Sequence, residues 1–321
     1  MKKIISAILC AVMLIVAVAG CGSAEKTAVR IAGMTGPTGM GLAKLLEDDE
    51  QGVSANDYQF TLAGTANEIN PMMINKELDI AAVPANVASV LYNKTSGGIK
   101  VLAVNTLGVI YIVNTDGTIA SLSDLVGKTI YATGQGATPE YTLRYILSSN
   151  GIDPDNDVTI EFKSEPAEVV SLMATGECTV AMLPQPYVTV AQTKVENVQA
   201  VIDLTEEWNK IGGEGMCLTG VVIASTEFVE NNPEAVKAFL KEYEASINYA
   251  NENVEDAAQL IGKFEIVAAG VAQKALPACN LTYIAGEEMK TALEGYLTVL
   301  FEQNPAAVGG AMPADDFYYV S

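Results

Sequence analysis

The 321-residue chain contains no histidine, only two arginines (Arg30 and Arg144), a single tryptophan and five cysteines. Without histidine there is no Ser-His-Asp or Cys-His nucleophile, no His-ligated zinc or haem, and no imidazole acid or base. Two guanidinium groups are too few for a multi-arginine phosphate clamp. Lys and Arg total 18 against 39 Asp and Glu, a formal charge of −21. That balance opposes DNA or RNA as partners, because affinity for a polyphosphate rests on Lys and Arg. No Cys-x-x-Cys pair occurs, so metal and redox motifs of that type are also missing. A binding module remains, or an enzyme that works through carboxylates or a cofactor.

What is present begins with a leader. Residues 1–20 run Met-Lys-Lys, then an apolar stretch Ile4–Ala19 broken only by Ser6, then Gly20. A positive start, roughly 15 apolar residues and small residues before a cut describe a secretory signal. The stretch is shorter than the ~20 residues of a spanning helix. Val18-Ala19-Gly20-Cys21 resembles the lipobox of bacterial lipoproteins, in which the cysteine thiol takes a diacylglycerol before cleavage. On that reading Cys21 is the first mature residue and residues 21–27 are a short tether. Loss of Lys2 and Lys3 takes the charge to −23, so anionic headgroups would repel the surface and acyl chains must hold it. Cys178, Cys217 and Cys279 then remain, an odd number, either buried as small hydrophobes or including one disulfide.

The rest of the chain has ordinary globular composition, half hydrophobic and 18% charged, and a length of roughly two domains. Strand-like runs alternate with helix-like segments, the pattern of α/β folds with largely parallel sheets. Val29–Ala32, Leu78–Val83, Ile99–Val104 and Val109–Val113 read as strands, and a second block repeats the plan with Thr129–Ala132, Val158–Phe162, Cys178–Leu183 and Val198–Leu204. Thr138 as N-cap, Pro139 at the first helical position and Gly151 as terminator frame one helix. After Leu218–Ala224 the pattern is helical to about Gln303, including an amphipathic segment Ala235–Ala250 with Val236, Phe239, Leu240, Tyr243 and Ile247 on one face. The end, Gly309 to Tyr319, reads as a coil pinned by aromatics.

This order of features resembles the substrate-binding lipoproteins of ABC importers, in the branch of sulfonate, taurine, nitrate and thiamine-precursor binders. The matching stretches are Leu78–Val83 with Pro84, Asp124–Ile130, Gly134-Gln135-Gly136-Ala137-Thr138, Gly176–Leu183 with Pro184-Gln185-Pro186, and Glu227–Val229 through Asn232-Pro233 to Tyr249. The resemblance implies a two-lobed α/β fold of the periplasmic-binding-protein type, each lobe a mostly parallel sheet flanked by helices. One lobe would comprise 28–107 plus 219–321 and the inserted lobe 108–218, with two hinge crossovers closing around the ligand.

Candidate ligand-binding residues lie where strands end, the place at which α/β sheets hold ligands. Gly36-Pro37-Thr38-Gly39-Met40-Gly41 has the glycine spacing of a P-loop but continues Leu42-Ala43 where Lys-Ser/Thr is required, so nucleotide binding is disfavoured. Thr35, Thr38 and Gly39 instead offer hydroxyl and backbone donors. Gly134, Gln135, Gly136 and Thr138 form the counterpart in the second block, with two glycines for close approach and a helix start for N–H donors. Tyr141 either stacks on ligand or joins the core. Asn67 and Asn86 cap helices or present amides; Gln185 is held between two prolines after a buried strand. Trp208 is an aromatic platform, a wedge between lobes or a core residue, and Glu214 a solvated loop charge rather than a cation ligand.

With Lys210 as the only base among these loops, a neutral or cationic small molecule, a heterocycle for example, is favoured over sulfonate or nitrate. The expected protein is a monomeric, membrane-tethered solute receptor without cofactor, metal or nucleic acid, handing its ligand to a permease with a cytoplasmic ATPase. Two alternatives are an enzyme on the same fold, of the pyrimidine-synthesis or dehydratase type, and a surface lipoprotein without a transport role.

Overall fold

A computed structural model describes residues 26–212 and 215–320; the leader, Cys21 and Glu214 lie outside the described residues. The first half of the fold is built from β1 (Ala28–Met34), α1 (Pro37–Met40), α2 (Ala43–Glu50), β2 (Asp57–Ala63), α3 (Ala66–Ile74), β3 (Ile80–Pro84), α4 (Ala85–Thr95) and β4 (Ile99–Leu107). The chain then passes through β5 (Ile110–Asn114), β6 (Thr129–Ala132), α5 (Thr138–Ser149), β7 (Thr159–Phe162), α6 (Pro166–Thr175), β8 (Val180–Pro184), α7 (Tyr187–Lys194), β9 (Gln199–Asp203) and α8 (Leu204–Ile211). It finishes with β10 (Leu218–Ser225), α9 (Thr226–Asn231), α10 (Pro233–Glu252), α11 (Val254–Lys263), α12 (Ala269–Ala275), β11 (Leu281–Ala285) and α13 (Gly286–Gln303).

These strands make two sheets, one of six strands in the order β11-β4-β10-β3-β1-β2 and one of five in the order β7-β6-β8-β5-β9. The sheets are mixed. β1, β2 and β3 pair in parallel, as do β6, β7 and β8, but β10 is antiparallel to both β3 and β4, β11 to β4, and β5 to both β8 and β9. The reason is local. β4 ends at the carboxyl edge of its sheet and enters β5 after two residues, at the carboxyl edge of the other, where Ile110 pairs with Pro184 at the end of β8. β5 must therefore run back against its neighbours. β10 repeats this on the return, with Leu218 opposite Leu107 and Gly220 opposite Pro84.

Two edge strands depart from the pattern expected of the sequence. β2 carries Tyr58, Phe60 and Leu62 in alternation with Asp57, Gln59 and Thr61, and pairs with β1 along seven residues. β11 interrupts the C-terminal helical region and pairs only with β4. Helix α5 also begins differently: Ala137 is the N-cap and Thr138 the first helical residue, with Pro139 inside the first turn. The Thr138 hydroxyl is turned away from the helix amides, toward Asn86. Helix α10 follows its apolar period, burying Val236, Phe239, Tyr243 and Ile247, with Pro233 in its first turn. Each such large side chain contributes about 1.5–3 kcal/mol of burial.

Three apolar clusters form the interior. One lies between the first sheet and α10, α11 and α12; another between the second sheet and α6 and α7. The third joins α4 and α13 of the first half to α5 and α8 of the second without a break. The C-terminal coil closes over the first sheet, with Phe317 fully buried against Tyr92 at 5.1 Å between ring centroids and the Tyr319 N–H donating to the Val101 carbonyl at 2.9 Å. Cys178, Cys217 and Cys279 are free and buried, and burial pushes each thiol up to about 12.

Candidate functional site

The loops after β1, β2 and β3 and those after β6, β7 and β8 leave the carboxyl edges of their sheets, and the two crossovers lie between these edges. The two sets of loops touch. Asn86, directly after β3, and Thr138, at the start of α5, are joined by a hydrogen bond from the Thr138 hydroxyl to Asn86 Oδ1 at 3.1 Å, and both side chains are buried. Asn86 Nδ2 donates to the Ala307 carbonyl at 3.2 Å, so the whole amide is engaged by protein. Four residues along α5, Thr142 Oγ1 lies 3.4 Å from the Tyr296 hydroxyl of α13.

On the first-sheet side, Thr35 is exposed, its N–H donating to Ala63 O at 3.0 Å. The left-handed Gly36 (φ 103°) turns the chain into the single-turn helix α1. Thr38 and Gly39 face inward. Gly39 packs so closely on β1 that a Cβ would lie 2.1 Å from Met34 O, and Thr38 covers Gly220, where a Cβ would meet its methyl at 2.4 Å. The Thr38 carbonyl accepts from Asn105 Nδ2 at 3.2 Å. Asn67 is exposed within the first turn of α3; the cap itself is Thr65, whose N–H donates to Glu68 Oε1 at 2.9 Å.

On the second-sheet side, Gly134 and Gly136 both adopt positive φ, and a side chain at Gly134 would strike the Pro139 ring at 2.8 Å. Gln135 between them is exposed. The Gly136 N–H, expected to face a ligand, donates instead to Glu140 Oε2 at 2.7 Å. Glu140 Oε1 in turn accepts from Arg144 Nε at 2.8 Å, and Arg144 Nη1 reaches Asp155 at 2.8 Å. Burial opposes the Arg144 charge, but its bonds to Asp155 and Glu140 outweigh that and raise its pKa. Gln135, Gly136 and Tyr141 line one cavity of about 740 Å³ together with Glu140, Arg144, Gln303 and Asn304. Glu140 and Arg144 are not among the residues expected from the sequence, although their i, i+4 spacing beside the glycine turn is a readable signal; Gln303 and Asn304, at the far end of α13, carry none.

Gln185 is 6% exposed, and its Oε1 accepts from the Thr189 hydroxyl at 3.0 Å, bracing the first turn of α7. Trp208 is 4% exposed. Tyr145 and Tyr296 flank its ring at centroid distances of 4.5 and 5.4 Å, and its indole N–H donates to Gly215 O at 2.8 Å. With both its ring and its donor engaged, Trp208 is a core residue where the halves meet, not a platform open to ligand. The structure thus brings Asn86 and Thr138 together, gathers Gln135, Gly136 and Tyr141 in one cavity, and gives Thr38, Gly39, Gln185 and Trp208 protein partners. Lys163, at the end of β7, is held by Glu161 at 2.6 Å, and Lys210 by Glu207 at 2.6 Å. Among the described residues, no group of three or more His, Cys, Asp or Glu side chains is arranged to hold a metal, and no helix is long and apolar enough to cross a membrane.

Residues 48–248 match the family model of the ABC transporter, phosphonate, periplasmic substrate-binding proteins. The chain belongs to this family. Substrate-binding proteins of this family capture small molecules outside the cytoplasm and deliver them to ABC permeases. A binding protein of Brucella abortus (strain 2308) is 29% identical over 174 residues, 54% of this chain and 52% of its own; the chain thus spans about half the length of the curated relatives it matches. In fold, the chain is similar to an ABC transporter protein from Parabacteroides distasonis (TM-score 0.77, 22% identity, 92% of this chain and 99% of that one). It is similar also to the periplasmic aliphatic sulphonate binding protein SsuA from Escherichia coli (TM-score 0.72, 16% identity, 90% and 93%). These neighbours are two-lobed, and the mixed sheets flanked by helices agree with that architecture.

Proposed function

We propose that the protein is a lipid-anchored receptor, tethered through Cys21, that holds one small organic solute between two lobes and passes it unchanged to an ABC permease and its ATPase. The lobes are 28–107 with 219–321, and 108–218. The observation that carries this reading is the Thr138–Asn86 hydrogen bond, because it joins strand-end loops of the two sheets. Thr35, Asn67 and Gln135 are the candidate side chains left exposed to a guest, and the buried Tyr141 borders the same cavity as Gln135. Closure is then a matter of differential affinity, the ligand favouring the arrangement in which both lobes touch it.

The favoured guest is neutral or cationic. The amide at the α5 turn is occupied by the Glu140 carboxylate, and Arg144, Lys163 and Lys210 are each tied to acidic partners. An anion at this turn would have to displace the Glu140 carboxylate from the Gly136 N–H, and the cation beside it, Arg144, is already shared between Glu140 and Asp155. The phosphonate in the family's description supports a second reading, in which an oxyanion is held by backbone and hydroxyl donors of the first-sheet loops. A thermal-shift panel separates the two. A neutral or cationic heterocycle that raises the unfolding midpoint, with methylphosphonate, an alkanesulfonate and nitrate inactive, supports the first reading; the reverse supports the second.

A further inference from the structure

The first sheet has two ends. Its carboxyl edge feeds the crossovers and the candidate site; its amino edge, where β1, β2, β3 and β4 begin, is where the chain enters the fold. Lys26 lies against this edge, its ammonium donating to Gly52 O at 3.3 Å and to Ser54 Oγ at 3.2 Å, and the Thr27 carbonyl accepts from the Asp57 N–H at 2.9 Å. The entry point is thus pinned to the loop before β2. Six residues lead from Cys21 to Thr27 and reach about 20 Å at full extension. A lipid on Cys21 therefore keeps the amino edge within that distance of a bilayer in every pose.

Two apolar side chains stand out from this edge. Val53, in the loop before β2, is 69% exposed, the highest value for a large apolar side chain among the described residues, and Ile74, which ends α3 ahead of β3, is 45% exposed. Ile74 borders a surface cavity of about 470 Å³ whose lining also includes Met73, Lys76 and Lys94. Both lysines are exposed, and Lys26 reaches the residue next to Val53. Long lysine stems lie along apolar surface while their charged ends meet phosphate. Asp57, Glu77, Glu227 and Glu230 are exposed on the same edge, and Glu227 holds Lys76 at 2.5 Å, so the attraction to headgroups is modest. A modest attraction suffices, because the tether keeps the edge at high local concentration beside the surface.

We propose that the amino edge of the first sheet rests on the phospholipid surface, Val53 and Ile74 entering the headgroup layer and Lys26, Lys76 and Lys94 meeting lipid phosphates. The carboxyl edge of that sheet, with the candidate site, then faces away from the bilayer toward incoming solute. The inference rests on the lipid anchor proposed above. Doxyl-lipid quenching tests it on the full lipidated chain in vesicles of phosphatidylcholine and phosphatidylglycerol. An NBD fluorophore is placed singly through Val53→Cys, Ile74→Cys or Val126→Cys; Val126 is 51% exposed but precedes β6, in the other half of the fold. Cys178, Cys217 and Cys279 are buried and do not compete for label. The expected result is blue-shifted, quenched emission at positions 53 and 74 and unquenched emission at 126. Unquenched emission at either 53 or 74, or equal quenching at all three positions, would overturn the resting edge. Intact mass separates the two readings: a diacylglycerol adduct on Cys21 with unquenched labels keeps the anchor and removes only the pose, and a chain without the adduct removes both.

Discussion

Thr138 and Asn86 are 52 residues apart, in loops that leave different sheets, yet the threonine hydroxyl donates to the asparagine carbonyl at 3.1 Å in a site where both residues are almost wholly buried. The bond explains why α5 starts at Thr138 and not one residue later: the hydroxyl that would cap the helix is engaged across the gap between the sheets. Thr138→Val should leave Asn86 Oδ1 buried without its donor and lower stability by about 1–3 kcal/mol. Chemical denaturation measures this. An unchanged midpoint would mean that the bond contributes nothing to holding the loops together.

Gln135 and Gln185, similar in sequence setting, should behave differently. Gln135 is exposed on the cavity wall, so Gln135→Ala should weaken solute binding and leave unliganded stability unchanged. Gln185→Ala removes the acceptor of the buried Thr189 hydroxyl and should cost about 1 kcal/mol before any ligand is added. Thermal unfolding of both variants, with and without the solute that shifts the parent protein, distinguishes the two roles.

Gly108 occupies the first crossover, where a Cβ would lie 2.0 Å from Thr205 Oγ1 and 3.0 Å from Cys217 Sγ. Gly108→Ala should force these side chains apart and destabilise by about 1–3 kcal/mol. Denaturant midpoints read the cost. Wild-type stability would show that the crossover has room the structure denies it.

Alkaline pH should weaken the fold. Burial raises the thiols of Cys178, Cys217 and Cys279 to about 12, whereas in the unfolded chain they ionise near 8.5. Below the unfolded value both states hold these protons and stability is unaffected. As pH rises from about 9 toward 12 the unfolded state releases them first, and stability is progressively lost. Urea midpoints at pH 7.5 and pH 10 should therefore differ, the second being lower. Iodoacetamide at pH 8 should alkylate none of the three until urea is added.

Much of this architecture was legible in the order of strands and helices, because buried strands such as Ile80–Pro84 and Val180–Pro184 are continuous apolar runs and α10 keeps a strict helical period. The strands with the weakest local signal lie at sheet edges. β2 announces itself only by the alternation of Tyr58, Phe60 and Leu62, and β11 is five residues set among strong helix formers, its strand state fixed by pairing with β4. The direction of β5 and β10 follows from where the crossovers deliver the chain, which no local pattern encodes. In the site, the glycine turn at 134–136 was readable from backbone chemistry. Its occupation by Glu140, the spending of the Asn86 amide on Ala307, and the burial of Trp208 between Tyr145 and Tyr296 depend on partners brought together only by the fold.

The central claim is non-covalent capture of one intact guest, and native mass spectrometry of the purified protein measures that directly. The expected result is one small molecule per chain, lost on unfolding and chemically unaltered when recovered. A released compound with bonds made or broken relative to the one supplied, or a chain that carries nothing and takes up no solute from the panel, would contradict it.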